Sequence, residues 1–347
     1  LLLTREEKIL HHSCLKDLKN TYLALGVPLD NAIRIIELIR DATISDIKTL
    51  RTLTLNQCFL STLPNSFERL TQLTSLSLYE NVFEYNSKDG IERVFQIISR
   101  CSNLEYLDLG GNKLSTLSND ILGSIFANLA QIPNLKTLYI GANDFSHLPK
   151  SITLLQNVKN LQLMNTGLTT IGDFINDMVD LEHLDLYENK ITSLPESLTG
   201  LSNLKYLDVS NNQLHVFPEQ VGDIKSLQRL HIRSNKITWL PDIFHSLTNL
   251  THFEIAENKL TTLPQSIKYL TKLRVLTLCG NHLCSIPESI GELTQLEELD
   301  LGENKLTTLP KSIENLTQLQ YLGVRENKMP NEVHDRLKEV FQNSVGM

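Results

Sequence analysis

The strongest constraint on this chain is a pattern, LxxLxLxxNxLxxLP, that recurs seven times between Leu181 and Pro330. Its asparagine returns with a fixed period of 23 residues, at Asn189, Asn212, Asn235, Asn258, Asn281, Asn304 and Asn327. A fixed period of this length indicates a solenoid, because one repeat cannot bury its own apolar face and is stable only when stacked on its neighbours. Since a solenoid grows linearly, the 347 residues are expected to form one elongated domain.

The same frame extends upstream and predicts twelve repeats over residues 50–330. The asparagine position of the earlier repeats holds Cys58, Asn81, Asn112, Asn143 and Thr166. The pattern resembles the leucine-rich repeat family, and this resemblance implies an α/β fold, a horseshoe-shaped solenoid with a parallel concave sheet. The filler at residues 287–296 is similar both to leucine-rich effectors of intracellular bacteria and to intracellular adaptors of the Ras-group and Scribble type.

Each position of the pattern has a physical reason. The alternation Leu-x-Leu is that of a short strand, so Leu184 and Leu186 are predicted to face the core while the residues between and beside them face out. The asparagine lies where the chain turns out of the strand. There its amide can pair backbone groups that would otherwise be buried without partners.

Both ends depart from the repeat and are predicted to be helical caps. Residues 1–49 begin with a capping box at Thr4 and continue with apolar residues at helical spacing, and Asp30 can cap a second helix. A docking domain is the alternative for this segment. Residues 331–347 are predicted to form a capping helix that closes the far end of the core. Asn331 can cap this helix, which carries Val333, Leu337, Val340 and Phe341 at helical spacing.

Two repeats are longer than the rest. The intervals Asn81–Asn112 and Asn112–Asn143 are each 31 residues, and the lengthened repeats cover about residues 73–134. The additions are predicted to be outer helices, with apolar residues at Ile91, Val94, Phe95 and Ile98 in one and at Ile121, Leu122, Ile125, Phe126 and Leu129 in the other. They are either tolerated insertions or a partner site on the outer face.

Charge and cysteine usage narrow the range of partners. The net charge of −8 and the absence of a lysine and arginine stripe oppose a nucleic-acid surface, and no apolar run approaches the length of a membrane span. The five cysteines are scattered and form no cluster at either end, which favours a reducing compartment. We therefore expect a monomer in the cytoplasm or in a host cytosol into which it is secreted.

Catalytic motifs are absent from the sequence: there is no GxSxG, P-loop, HExxH or paired CxxC. One group of outward residues, His231, His252 and Glu254, has the ligand types of a zinc site, but a mixed polar recognition surface is the preferred interpretation. Cys279 is a weaker candidate nucleophile. The chain is expected to be non-enzymatic and to need no cofactor or metal.

The concave face is where binding is predicted. Its first strands present small hydroxyl residues, whereas its middle strands present aromatic, histidine and charged residues, the types enriched in binding hot spots. The predicted protein-binding residues are Tyr106, Tyr139, His183, Asp185, Tyr187, Tyr206, Asp208, Arg229, His231, Arg233, His252 and Glu254. The sequence thus predicts a scaffold that binds a protein partner, either as a bacterial effector or as an adaptor that positions a small GTPase or phosphatase.

Overall fold

The computed structural model describes residues 50–58, 60–63, 65–83, 87–341 and 345–346. The amino-terminal cap predicted over residues 1–49 lies outside them. The chain divides into two compact units, of which the first ends at Tyr139 and the second begins at Ile140.

The first unit is a parallel sheet with outer helices. Its strands are β1 (Thr52–Thr54), β2 (Ser75–Ser77), β3 (Tyr106–Asp108) and β4 (Thr137–Tyr139), each paired in register with the next. Its helices are α1 (Lys88–Ser99) and α2 (Asn119–Leu129), and 3₁₀ turns lie at Asn65–Arg69 and Leu114–Thr116. The helices occupy the two 31-residue intervals. Of their predicted apolar residues, Ile121 is only half-buried.

The second unit repeats one short strand and one short turn. Its strands are β5 (Asn160–Gln162), β6 (His183–Asp185), β7 (Tyr206–Asp208), β8 (Arg229–His231), β9 (His252–Glu254), β10 (Val275–Thr277), β11 (Glu298–Asp300), β12 (Tyr321–Gly323) and β13 (Val345–Gly346). Consecutive strands pair in parallel, which confirms the predicted fold class. A helix, α3 (Asn331–Phe341), follows β12. Across the described residues, no helix is long and apolar enough to cross a membrane.

The outer side of the second unit is made of 3₁₀ turns. They lie at Lys150–Leu154, Asp173–Asp177, Glu196–Gly200, Glu219–Asp223, Phe244–Ser246, Gln265–Tyr269, Glu288–Glu292 and Lys311–Asn315. Proline often precedes the turn in an extended conformation, as at Pro195 with φ −73° and ψ 148°. This agrees with the physics of proline, whose fixed φ suits an extended arm that needs no N–H donor.

Strand alternation separates core from surface. In β6, Leu184 is fully buried, whereas His183 on one side is exposed and Asp185 on the other is half-buried. The middle residue of β1 through β12 is leucine except in β9, where it is the buried Phe253. The 23-residue period therefore brings equivalent outward residues into rows across neighbouring strands.

The repeated asparagine is buried and fully bonded. The Asn235 amide nitrogen donates to the carbonyl oxygens of Val209, Ile232 and Arg233 at 3.0, 3.2 and 3.1 Å, and its amide oxygen accepts from the Leu214 N–H at 2.9 Å. The same four kinds of bond recur at Asn189, Asn212, Asn258, Asn281 and Asn304. From Asn189 to Asn304, this asparagine ladder bonds each repeat to the one before it.

The residue before each ladder asparagine adopts a left-handed conformation, which the sequence pattern did not indicate. Glu188 has φ 55°, Ser234 has φ 52°, and Gly280 has φ 66°. The left-handed conformation costs a residue with a side chain about 1–2 kcal/mol. The bonds of the adjacent ladder asparagine hold the chain there, so non-glycine residues are tolerated.

Helix α3 uses its apolar residues unequally. Leu337 is fully buried, Val333 and Phe341 are half-buried, and Val340 is 39 % exposed. Of the four apolar residues at helical spacing, Val340 is therefore the one that faces solvent. It sits on the solvent side because α3 contacts the repeats along a narrow stripe.

We expect Leu337→Ala to lower the free energy of unfolding by about 2 kcal/mol, because it empties a fully buried site. Val340→Ala is the matched control and should change it by less than about 0.5 kcal/mol. Urea titration of both variants measures the difference. Equal losses would show that α3 packs through another face.

Candidate functional site

Strands β6 to β9 carry two rows of outward side chains, here called the central field. Strand pairing sets His183, Tyr206, Arg229 and His252 in one row, and Asp185, Asp208, His231 and Glu254 in the other. Neighbours within a row are about 4.8 Å apart along the sheet. All eight residues belong to the predicted protein-binding set, and the structure brings them together on one surface.

Tyr206 is the centre of an aromatic stack. Its ring lies 5.6 Å from that of His183, with an interplanar angle of 20°, and 5.1 Å from that of His231, with an angle of 72°. The first contact is stacked and the second is edge-on, the two arrangements that aromatic pairs prefer. The ring of Tyr206 is therefore held on both sides.

A polar network runs from Tyr206 to Glu254. The Tyr206 hydroxyl donates to Asp208 Oδ2 at 3.1 Å and lies 3.3 Å from His231 Nδ1. His231 Nδ1 is 3.6 Å from Asp208 Oδ2, and its Nε2 is 3.4 Å from Glu254 Oε1. That second nitrogen is inaccessible to solvent, and its alignment with Glu254 falls short of a hydrogen bond.

Burial and charge move the pKa values of this network apart. Burial opposes a charged His231, but contact with Asp208 and the charge of Glu254 outweigh it, so the pKa of His231 is raised. Burial also opposes a charged Asp208, yet contact with His231 lowers the pKa of Asp208. In the neighbouring row, burial lowers the pKa of both His183 and His252.

The two aspartates of the central field also shape the strand ends. Asp185 Oδ1 accepts from the Tyr187 N–H at 2.9 Å, and Asp208 Oδ1 accepts from the Ser210 N–H at 2.8 Å. Such a bond to the backbone two residues ahead is a common turn device of aspartate. Part of the reason for aspartate here is thus local structure, and one oxygen of each side chain is already engaged.

The remaining predicted residues of the second unit lie around the central field. Arg229 is exposed, and Arg233 forms an ion pair with Glu257. The Tyr187 hydroxyl accepts from the Asn211 side chain at 2.9 Å. Asn211 and Glu257 were not predicted. Their position directly before a ladder asparagine is the sequence signal that could have found them.

Tyr106 and Tyr139 belong to the first unit, so they are considered apart from the central field. Burial, with the charge of Asp108, raises the pKa of Tyr106. Tyr139 packs against the backbone at Gly110, where an added Cβ would lie 2.8 Å from its ring and 2.9 Å from the ring of Tyr79. A side chain at this position would have to displace one of the two rings, which favours glycine.

The zinc and nucleophile hypotheses concern His231, His252, Glu254 and Cys279. Among the residues that the structure describes, no three His, Cys, Asp or Glu side chains are arranged to hold a metal ion. Burial and the charge of Asp300 raise the pKa of Cys279 to about 11, which disfavours the reactive thiolate. Cys58, Cys101, Cys279 and Cys284 are free thiols.

Models of known protein families match several stretches of the chain. A family model described as leucine-rich repeat region matches residues 193–276 and 263–340, and further leucine-rich repeat models match residues 156–214 and 103–126. The chain is a leucine-rich repeat protein. Proteins of this fold serve generally as interaction scaffolds, and nothing in these matches points to catalysis.

Solved structures show the same fold. The leucine-rich repeat protein aligns over 92 % of its length with 90 % of an internalin of Listeria monocytogenes, with a TM-score of 0.70 and 21 % identity. It aligns over 88 % with 97 % of a leucine-rich repeat protein of Leptospira interrogans, with a TM-score of 0.51 and 25 % identity. A third match is a receptor kinase ectodomain of Arabidopsis thaliana, solved in complex with Casparian strip integrity factor 2. Here 83 % of this chain aligns with 37 % of the ectodomain, with a TM-score of 0.61 and 24 % identity.

Two curated relatives match only short stretches of the leucine-rich repeat protein. Both are from Prochlorococcus marinus and are named R-phycoerythrin subunit beta. One is 55 % identical over 78 residues, which is 21 % of this chain and 45 % of the relative. The other is 50 % identical over 44 residues, 13 % of this chain and 24 % of the relative. The chain thus spans less than half the length of the curated relatives it matches.

Proposed function

We propose that this leucine-rich repeat protein is a non-enzymatic scaffold that holds one protein partner on the outward face of β6 to β9. The observation that carries the proposal is the fixed ring of Tyr206, stacked on His183, edge-on to His231 and next to the exposed Arg229. Tyrosine and arginine tend to carry the largest share of binding energy in protein interfaces. A ring that is already immobilised loses little further entropy on binding.

The central field is also of a suitable size. Four strands with their flanking loops can supply about 800 Å² per partner, the area of a standard interface. Tyr187, Arg233, Asn211 and Glu257 extend the polar rim around it. Tyr106 and Tyr139 are proposed as additional partner contacts of the first unit.

The proposed biological role is that of a bacterial effector-like protein that acts as a monomer in a reducing compartment. The resemblance of the repeat filler to leucine-rich effectors supports it, as do the free thiols at Cys58, Cys101, Cys279 and Cys284. A signalling adaptor that positions a small GTPase or phosphatase is the second candidate. Affinity capture with the intact chain, followed by mass spectrometry, identifies the partner and separates the two.

We expect the double variant Tyr206→Ala, Arg229→Ala to weaken the captured partner by at least about tenfold, because it removes both anchor side chains. Its melting temperature should stay within a few degrees of the parent, since neither residue is in the core. Isothermal titration calorimetry with the identified partner measures the loss.

A matched control lies on the opposite side of the second unit. Tyr269 is 45 % exposed at the end of a 3₁₀ turn, and Lys268 Nζ lies 5.3 Å from its ring centroid. The double variant Lys268→Ala, Tyr269→Ala also removes one cation and one tyrosine, yet should leave affinity unchanged. Loss of binding in this control, with the Tyr206 and Arg229 pair neutral, would move the site to the outer turns.

A further inference from the structure

His231 is surrounded by charged groups from every strand that contacts it. On β7 it meets Tyr206 and Asp208, and on β9 Glu254. The charge of Arg229, on its own strand, opposes protonation of His231. The charge of His231 in turn helps to lower the pKa of His252 on β9. Both ring nitrogens thus face carboxylate oxygens, Nδ1 toward Asp208 and Nε2 toward Glu254.

This charge environment favours the charged imidazolium. An ionised carboxylate can only accept hydrogen bonds, so it favours a hydrogen on the ring nitrogen that faces it. Neutral histidine carries a single ring hydrogen and would turn a lone pair toward one of the two carboxylates. Two carboxylate oxygens at 3.6 and 3.4 Å therefore favour the ring that is protonated on both nitrogens over either neutral form.

Tyr206 couples this proton to the aromatic stack. Its hydroxyl has one hydrogen and two neighbours, Asp208 Oδ2 at 3.1 Å and His231 Nδ1 at 3.3 Å. While Nδ1 carries a hydrogen, the tyrosine must donate to Asp208. Once Nδ1 loses it, the lone pair on Nδ1 competes with Asp208 for the same hydroxyl hydrogen.

We propose that His231 is a proton switch for the central field. The protonated ring links Asp208 and Glu254 and holds Tyr206, whose hydroxyl donates to Asp208. When the ring is neutral, the Tyr206 hydroxyl donates to His231 Nδ1 instead, which releases the tyrosine from Asp208. In the neutral state the remaining hydrogen stays on Nε2, which faces Glu254. The switch rests on the proposed function, since it regulates the surface on which the partner is proposed to bind. It predicts a less ordered Tyr206, and hence weaker binding, at higher pH.

The sign of the effect follows from the charges around the ring. Burial favours neutral His231, but Asp208 and Glu254 together raise the pKa of His231 above its ordinary value of 6.5. A folded-state pKa above the unfolded one gives stability that is complete below about pH 6.5 and is lost as pH rises through the folded value. Burial and Arg229 lower the pKa of His252, so the two histidines change charge in different pH ranges.

NMR of the free protein, labelled with nitrogen-15 at histidine and with carbon-13 in the tyrosine rings, tests the switch without a partner. The chain has 10 histidines, so His231→Gln assigns the His231 signals by their loss. We expect a midpoint above 6.5, with the neutral ring protonated on Nε2, and a Tyr206 ring signal that shifts with the same midpoint. Glu254→Gln, a milder change than any at the buried Asp208, should move that midpoint to lower pH and keep the fold.

Three outcomes would overturn the switch. One is a Tyr206 signal that stays constant while His231 titrates, another is a Tyr206 shift that persists in His231→Gln, and the third is a neutral ring protonated on Nδ1. None depends on partner binding. A failed switch is therefore distinguishable from a failed binding site, which the Tyr206 and Arg229 variants test separately.

Discussion

Replacing Phe253 by alanine is expected to destabilise the second unit by about 3–5 kcal/mol. Phe253 is the aromatic exception among the strand leucines, and it meets Phe217 and Phe244 with ring centroids 6.4 and 5.6 Å away. Phe217 and Phe244 also touch each other at 6.0 Å. Alanine would leave a cavity bounded by two rigid rings that cannot collapse into it. A urea titration followed by circular dichroism measures the loss.

Phe253→Leu is the matched variant, because leucine occupies this position in the neighbouring strands, as at Leu230 and Leu276. It should cost clearly less, about 1 kcal/mol, since it removes fewer buried atoms. If alanine and leucine proved equally mild, the phenylalanine cluster would not be a rigid part of the core.

The second large effect is expected from Asn235→Leu, which should cost about 3 kcal/mol. The change leaves the Leu214 N–H buried without an acceptor and removes one of the two amide donors that the Val209 carbonyl accepts from. A buried group left unpaired costs roughly 1–3 kcal/mol, and the lost bonds add to this. The melting temperature and the urea midpoint should both fall.

Asn235→Thr is the informative companion, because Thr166 already occupies a ladder position. Its hydroxyl donates to the Leu163 carbonyl at 2.9 Å, one of the bonds an asparagine would make. Threonine at 235 should therefore cost less than leucine. Lys236→Ala, at an exposed neighbour, should be near neutral. If Asn235→Leu were also neutral, the ladder would not bind the repeats together.

The central field combines structural and recognition duties in the same side chains. Asp185 and Asp208 each use one oxygen to close the turn after their strand, and Asp208 uses the other on Tyr206. Substitution of either aspartate should therefore change the backbone as well as the surface. Tyr206 and Arg229 are the cleaner probes of binding, which is why the calorimetric test is built on them.

The period of 23 residues and the alternation of leucines were enough to predict the fold class and the direction of side chains. Both depend on local geometry: a strand sends successive side chains to opposite faces, and stacked repeats bring equal positions side by side. The rows that contain His183 and Asp185 follow from that rule alone. The sequence was therefore enough to predict that the residues of the central field share one surface.

Other features depend on distances and angles that no spacing rule contains. Tertiary structure alone decided that Tyr206 lies between two histidines, that His231 faces two carboxylates, and that the residue before each ladder asparagine is left-handed. It also decided that Val340 points to solvent, because the seat of α3 on the last repeats is set by packing and not by helical spacing. Sequence determined which residues share a face; only the packed repeats determined which of them touch, because rotamers and bond directions depend on neighbours 23 residues away.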